Sequence, residues 1–399
     1  MTAALQGLRV LDLSRYVAGA YCAKMLAAFG AEVIKVEPPG TGDPARAVGP
    51  FVDDRPDPET SALFLYLNTG KQGLTLNLKH LQGAEILKAL VRDTDVLIEN
   101  FTPRIMPSLG LDYATLRVIN PRLIMVSISS FGQSGPYRDY KSSSMIAYAL
   151  GGYMYLNGHP EREPLHGGGR QPAYQGGLHG YSGAMAAIMA REQSGQGQHV
   201  DVSIQACMAS IHQFTLNRYV YVGRIQTRIG NRYQRAHPIT IYPCKDGLVS
   251  LAVSQQEQYE RFLALTGLTE LLDDERFATT FSCSEHTAAF DERVAPWLQA
   301  HSKHDIVHRC QENRIPAGFV NDVAEVMEEP QYQFRGFWHE LDHPVAGRRT
   351  YAGFPVQMTE TPPVLKRACL LGEHTDAILT KRLGYNREQL AQLRSQGVI

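Results

Sequence analysis

Tryptophan occurs twice in 399 residues, cysteine six times, and acids outnumber bases by one, 40 Asp and Glu against 39 Lys and Arg. Each scarcity excludes something. A formal charge of −1 gives no global electrostatic reason to bind nucleic acid or an anionic membrane, so any phosphate site has to be local. Cys22, Cys207, Cys244, Cys283, Cys310 and Cys369 include no CxxC pair, which fits neither a zinc site nor a disulfide scaffold and implies packed, reduced thiols. The longest apolar stretches, such as Ser182 to Ala190, fall far short of the roughly 20 residues of a membrane-spanning helix. Met1 to Leu13 lacks the basic start and cleavable apolar core of a secretion signal. The expectation is a soluble, cytoplasmic protein. There is no Walker loop and no GxGxxG after the first strand, so the usual dinucleotide turn is missing. Internal repeats and low-complexity segments are missing too.

What is present is a globular composition, 44% hydrophobic and 20% charged, long enough for two domains or one domain with an insertion. Leu8 to Ser14 reads as a short strand, Ala18 to Gly30 as a helix, and Glu32 to Glu37 as a second strand ending at Pro38-Pro39-Gly40. A helix near Leu81 to Arg92 and strands at Val96 to Glu99 and Leu123 to Ile128 continue an α/β, doubly wound pattern. Gly151 to Pro172 reads as an irregular loop, Leu178 to Glu192 as a helix of small residues ended by Gly195-Gln-Gly197, and His199 to Ser203 as a further segment. From about Asn231 to Val320 the texture changes to strands (Ile239 to Tyr242, Leu248 to Val253) and polar helices, the mark of a smaller second domain. Helices at Glu373 to Leu383 and Arg387 to Arg394 close the chain.

Isolated candidates for chemistry leave their alternatives open. Gly167-Gly168-Gly169 and Gly176-Gly177 suit backbone N–H groups offered to an anion, or equally a flexible loop. His304 and His308 have metal-compatible spacing but no HExxH motif, and a solvated helix face explains them better. Ser182 lacks the glycine spacing of a nucleophile elbow. Lys141 beside Ser142-Ser143-Ser144 suits a phosphate, or is simply a surface lysine.

Together, several segments resemble the class III CoA-transferase family, which includes formyl-CoA, carnitine and benzylsuccinate CoA-transferases and related racemases. They are Leu5-Gln-Gly-Leu-Arg-Val-Leu-Asp-Leu13 with Phe29-Gly-Ala-Glu-Val-Ile-Lys-Val-Glu37, Asp95-Val-Leu-Ile-Glu-Asn-Phe101 with Leu109-Gly-Leu111, Asn120-Pro-Arg-Leu-Ile124 with Ser129-Ser-Phe-Gly132, Ser194-Gly-Gln-Gly-Gln-His-Val-Asp-Val-Ser203, and Leu371-Gly-Glu-His-Thr375. The resemblance implies a Rossmann-like large domain (residues 1–225 and 326–399), an inserted small α/β domain (226–325), and two chains interlocked like linked rings. It also implies coenzyme A or an acyl-CoA as substrate, with no metal, bound near Val17, Ala18, Leu76, Asn77, Lys79, Asn100, Phe101, Thr102 and Lys141. A few cations and an apolar wall are what an adenosine bisphosphate needs. Two basic residues usual in that footprint are replaced by Pro38 and Ser108, and Arg104 is the nearest substitute.

Members attack the acyl-CoA thioester with an aspartate, passing through an aspartyl anhydride and an aspartyl-CoA thioester. Ungapped counting from Lys141 forward and from Gly195 backward puts that position at Ala173. No Asp or Glu lies between Pro164 and Arg191, and Ser144 stands where an acid is frequent. The resemblance therefore points to a noncatalytic subunit whose homologous partner supplies the aspartate in a heterodimer. Two-subunit, benzylsuccinate-activating members of anaerobic aromatic degradation are organised in this way. The expected reaction moves CoA from succinyl-CoA to a benzylsuccinate-like acid, with no nucleic-acid or membrane partner. A homodimeric CoA-binding pseudoenzyme or regulatory protein is the alternative, and a racemase relative would need a His and an Asp where Ser143 and Ala173 stand.

Overall fold

The computed structural model describes residues 3–399. The chain divides into two compact units, one made of Met1–Tyr153, Gly167–Phe214 and Gln333–Ile399, the other of Met154–His166 and Thr215–Tyr332. In the first, β1 (Arg9–Asp12), β2 (Glu32–Glu37), β3 (Gln72–Thr75), β4 (Val96–Glu99), β5 (Ile124–Ser129) and β6 (His199–Ser203) form one parallel sheet in the order β3-β2-β1-β4-β5-β6. The strands at its centre are buried almost throughout because helices cover both faces. Alternation then sorts their side chains between two cores. Val10, Val33, Val96, Ile98 and Val126 meet α1 (Ala18–Ala28) and α3 (Gln171–Ser194). Leu11, Ile34, Leu97 and Met125 meet α2 (Leu81–Val91) and α4 (Thr375–Leu383).

The second unit contains a three-stranded antiparallel sheet, β7 (Ile239–Pro243), β8 (Leu248–Ala252) and β9 (Ala317–Phe319). Helices Gln256–Thr266, Thr287–Ala300 and Lys303–Glu312 supply its core through Tyr259, Phe262, Phe290, Val294 and Ile306. A hairpin of β10 (Trp338–His343) and β11 (Gly347–Ala352) follows in the first unit. All six cysteines are buried and free, and among the described residues no helix is long and apolar enough to cross a membrane.

The largest departure from the sequence reading is α3, which begins at Gln171, seven residues before the expected start. Pro172 does not delay it, because a proline in the first turn forfeits only an N–H that has no helical partner. Gly176 and Gly177, read as either an anion-facing backbone or a flexible loop, are buried inside this helix. A Cβ on Gly177 would lie 2.5 Å from the Ala18 carbonyl oxygen, and one on Gly176 would lie 2.8 Å from Ile204 Cγ1. Their role is close packing. The supposed loop also opens with a helical turn, Tyr153–Leu156.

Candidate active site

A cleft of about 720 Å³ lies along the carboxyl ends of β1 to β4, where Ser14 and Arg15, Pro38 and Pro39, Leu76 to Lys79, Phe101, and Ser108 line it together with Gly397. Ligands of open parallel sheets bind at this edge, close to where strand order reverses, here between β1 and β4.

Under the cleft runs a buried ionic lattice. Lys71 Nζ lies 2.8 Å from Asp12 Oδ2, Lys35 Nζ lies 2.8 Å from Asp43 Oδ2 and 4.0 Å from Asp12, and all four side chains are enclosed. Burial alone would raise the Asp12 carboxyl, but Lys35 and Lys71 outweigh it and hold the group below the ordinary carboxylate range. Ser14 donates to Asp12 from both Oγ (2.5 Å) and N (3.0 Å). Lys35 donates to the Ser14 carbonyl, and Tyr16 N donates to Asp43 (3.0 Å). Arg46 grips Glu37 through Nε and Nη2, at 2.7 and 2.9 Å, and reaches Glu59 at 2.7 Å. Turns 14–16 and 43–46 are thus tied to each other by charges largely shielded from water.

Of the positions expected to meet CoA, Leu76, Asn77, Lys79 and Phe101 line this cleft. Asn100 shapes it indirectly, accepting from Arg15 N (2.7 Å) and donating to the Arg15 carbonyl (2.8 Å). Val17 and Ala18, at 3% and 4% exposure, are buried and do not line it. Thr102 and Arg104 line a different cleft of about 600 Å³, and the Arg104 guanidinium is held there by Asp139 at 2.8 and 2.6 Å. Lys141 is exposed and lines neither cleft. Pro38 and Ser108, the two positions where the resemblance implied a cation, do face the first cleft. Sequence reasoning missed Arg15, whose guanidinium carbon sits 5.1 Å from the Phe101 ring centroid, a cation–π distance. Its place directly after the first strand was the available signal.

In the second cleft Glu99 is buried, and desolvation pushes its carboxyl up to about 7 despite hydrogen bonds from Ser127 and from Phe101 N. His199 Nε2 lies 2.8 Å from Ser127 Oγ while its ring stacks on Tyr113. Burial lowers the imidazole, so it is neutral at pH 7.

Ala173 sits in the first turn of α3 and packs in a cluster with Val17, Ala20, Leu67, Tyr21, Tyr66 and Tyr174. Ser144 opens a separate helix, Ser144–Leu150, whose N-cap is Ser143. His304 and His308 both pack on Phe319, at 4.6 and 6.2 Å. No metal-ligating cluster forms around them among the described residues.

Comparison with known proteins places these features. Residues 5–375 match CoA-transferase family III. The chain is 34% identical to the succinate–glutarate CoA-transferase of Agrobacterium fabrum, over 94% of this chain and 95% of that one. It is 33% identical to the succinyl-CoA–L-malate CoA-transferase beta subunit of Chloroflexus aurantiacus, over 100% and 98%. The crystal structure of a CAIB/BAIF family protein from Brucella suis superposes with a TM-score of 0.87 at 32% identity, covering 96% of this chain and all of the other. With both the parallel sheet and nearly the whole sequence matched, the chain belongs to the class III CoA-transferase family.

Proposed function

We propose that this chain is the noncatalytic subunit of a succinyl-CoA-dependent CoA-transferase, paired with a homologous chain that supplies the acyl-carrying aspartate. The observation that carries the reading is Ala173. It occupies a well-anchored turn of α3, its methyl group cannot carry an acyl group, and no Asp or Glu stands between Pro164 and Arg191 to replace it. Relatives that act on succinyl-CoA, one of them named as a beta subunit, support both the donor and a two-chain organisation. A benzylsuccinate-like acceptor fits the aromatic surroundings of Ala173, where Tyr21, Tyr66 and Tyr174 gather. The two chains interlock in the proposed dimer.

CoA would enter the cleft at the ends of β1 to β4. Leu76 and Phe101 offer the apolar wall, Arg15 and Lys79 the cations, and Asn77 a polar rim. Without cations at Pro38 and Ser108, the cleft lacks two charge-assisted contacts worth about 1.5–3 kcal/mol each, so CoA binds weakly here and tightly on the partner.

Expression of the chain alone and with its partner tests the reading. The partner-free protein has no CoA-transferase activity with succinyl-CoA and benzylsuccinate, and the mixed dimer is active. Turnover above background in a partner-free preparation would overturn the proposal.

A further inference from the structure

Beside Ala173 lies a group of side chains that the transfer reaction does not call upon. Lys24 on α1 is 2% exposed. Its ammonium stands 3.3 Å from the centroid of the Tyr66 ring and has no hydrogen-bond acceptor. Tyr21 and Tyr174 meet edge to face at 4.9 Å, and Tyr21, Tyr66 and Tyr174 pack with Ala173 in one cluster while remaining partly exposed. Among the described residues, none of the three phenol hydroxyls has a hydrogen-bond partner.

A buried ammonium without an acceptor is costly, so it either gives up its proton or keeps it when an anion comes near. The neighbouring cation is already committed, since Lys71 is bound to Asp12, the Ala20 carbonyl and Asn68. Three unused hydroxyl donors next to an unused cation suit a carboxylate. Alanine at position 173 removes the negative charge that would repel one, and the tyrosine rings favour a guest with an apolar or aromatic body.

We propose that the hydroxyls of Tyr21, Tyr66 and Tyr174, with the Lys24 ammonium behind the Tyr66 ring, form a noncovalent receptor for the carboxylate of an organic acid. This receptor occupies the place where related chains carry their acyl-bearing aspartate, and in that respect it rests on the reading of Ala173 given above. The hydroxyls make the contacts. Lys24 acts through the ring, as a charge held close in surroundings of low dielectric.

Proton linkage gives a signature that a merely structural cluster would not show. Burial, reinforced by Lys71, pulls Lys24 down to about 7, and an anion alongside would raise it again. The phenols facing it are pushed the other way, because burial raises Tyr21, Tyr66 (to about 12) and Tyr174; burial lowers Lys71, which remains paired with Asp12, so the Lys24→Met variant is what assigns the proton to Lys24. Carboxylate binding therefore takes up a fraction of a proton near pH 7.5 and weakens as pH rises toward 9.

The test is calorimetric titration of the purified protein, in its native assembly, with benzylsuccinate and with succinate. It is run at pH 7.5 in two buffers of different ionisation enthalpy. We expect buffer-dependent heats for benzylsuccinate, tighter binding than for succinate, and loss of the proton uptake in Lys24→Met. Tyr66→Phe and Tyr174→Phe each weaken binding about tenfold, the worth of one hydrogen bond to a charged group. Because these substitutions are in this chain, they separate its site from any acid site on a partner. Buffer-independent heats in the wild type, or unchanged affinity in both tyrosine variants, would overturn the proposal. Neither measurement needs turnover, so a chain that binds the acid in this way yet transfers CoA unaided would refute only the subunit assignment.

Discussion

Replacing Asp12 with alanine removes the carboxylate that two buried ammonium groups share. Lys35 would keep its 2.8 Å contact with Asp43, but Lys71 would be left with only the neutral oxygens of Ala20 and Asn68. Ser14 would lose the acceptor of both its hydrogen bonds. Breaking a buried ion pair from one side costs roughly 3–5 kcal/mol, a large share of the 5–15 kcal/mol by which proteins are usually stable. Asp12→Asn retains an acceptor for Ser14 and should fall between wild type and Asp12→Ala. Urea unfolding reads the difference as a shift of midpoint at unchanged slope. The sign with pH follows from the depressed Asp12 carboxyl. Its contribution is complete above the unfolded-state value, near 4, and is lost only as pH falls through the lower folded-state value. The gap between wild type and Asp12→Ala should therefore stay constant from pH 8 to about 5 and close only in stronger acid. A loss below about 1 kcal/mol at pH 7 would refute the claim that this lattice is tightly coupled.

Three further outcomes are expected. Glu99 titrates near 7 because it is buried, so its effect has the opposite sign. The stability gained with the protonated form is present below the ordinary glutamate range and lost as pH rises through 7. Glu99→Gln should thus gain on wild type between pH 5 and 8, by up to about 3 kcal/mol, and parallel curves in thermal unfolding would contradict this. Gly177→Ala places a methyl 2.5 Å from the Ala18 carbonyl oxygen. The roughly 1 kcal/mol of helix propensity gained is offset by overpacking of about 1–3 kcal/mol. Net destabilisation is expected, whereas exposed Ser182→Ala on the same helix is near neutral, and a rise in melting temperature for Gly177→Ala would show that α1 and α3 can separate freely. If the chain pairs with a homologous partner as proposed, calorimetry of that complex should find about one tight CoA site per pair of chains, and two equal sites would mean that Arg15 and Lys79 make good the cations missing at Pro38 and Ser108.

The central sheet was legible because each strand from β1 to β5, except β3, is a compact apolar run ending at a proline, glycine or polar turn. β3 was not, since Gln72-Gly73-Leu74-Thr75 is short and polar at both ends. Among the described residues it pairs only with β2, and a Cβ on Gly73 would meet the Leu370 carbonyl at 2.7 Å, so its identity depends on a segment some 300 residues away. The β10–β11 hairpin lacks an apolar alternation because half of its residues are exposed and only His343 and Tyr351 are buried. At the cleft, residues lying in contiguous motifs were found and Arg15 was not, since a cation–π contact with Phe101 pairs positions far apart in sequence. The distribution of Thr102 and Arg104 into a second cleft follows from the turn after β4, where neighbouring residues face opposite ways, a matter of backbone geometry that spacing does not record.

The close seat of α3 on α1 has a consequence for the history of the chain. Gly177 meets the Ala18 carbonyl one turn beyond position 173, in a close approach that the side chain at 173 does not make. Alanine and aspartate codons differ at the middle base, so a duplicated gene can shed the carboxylate, or regain it, without rebuilding the scaffold that presents it. Under the two-chain reading proposed above, division of labour between paralogous chains lies within reach of a point substitution at position 173.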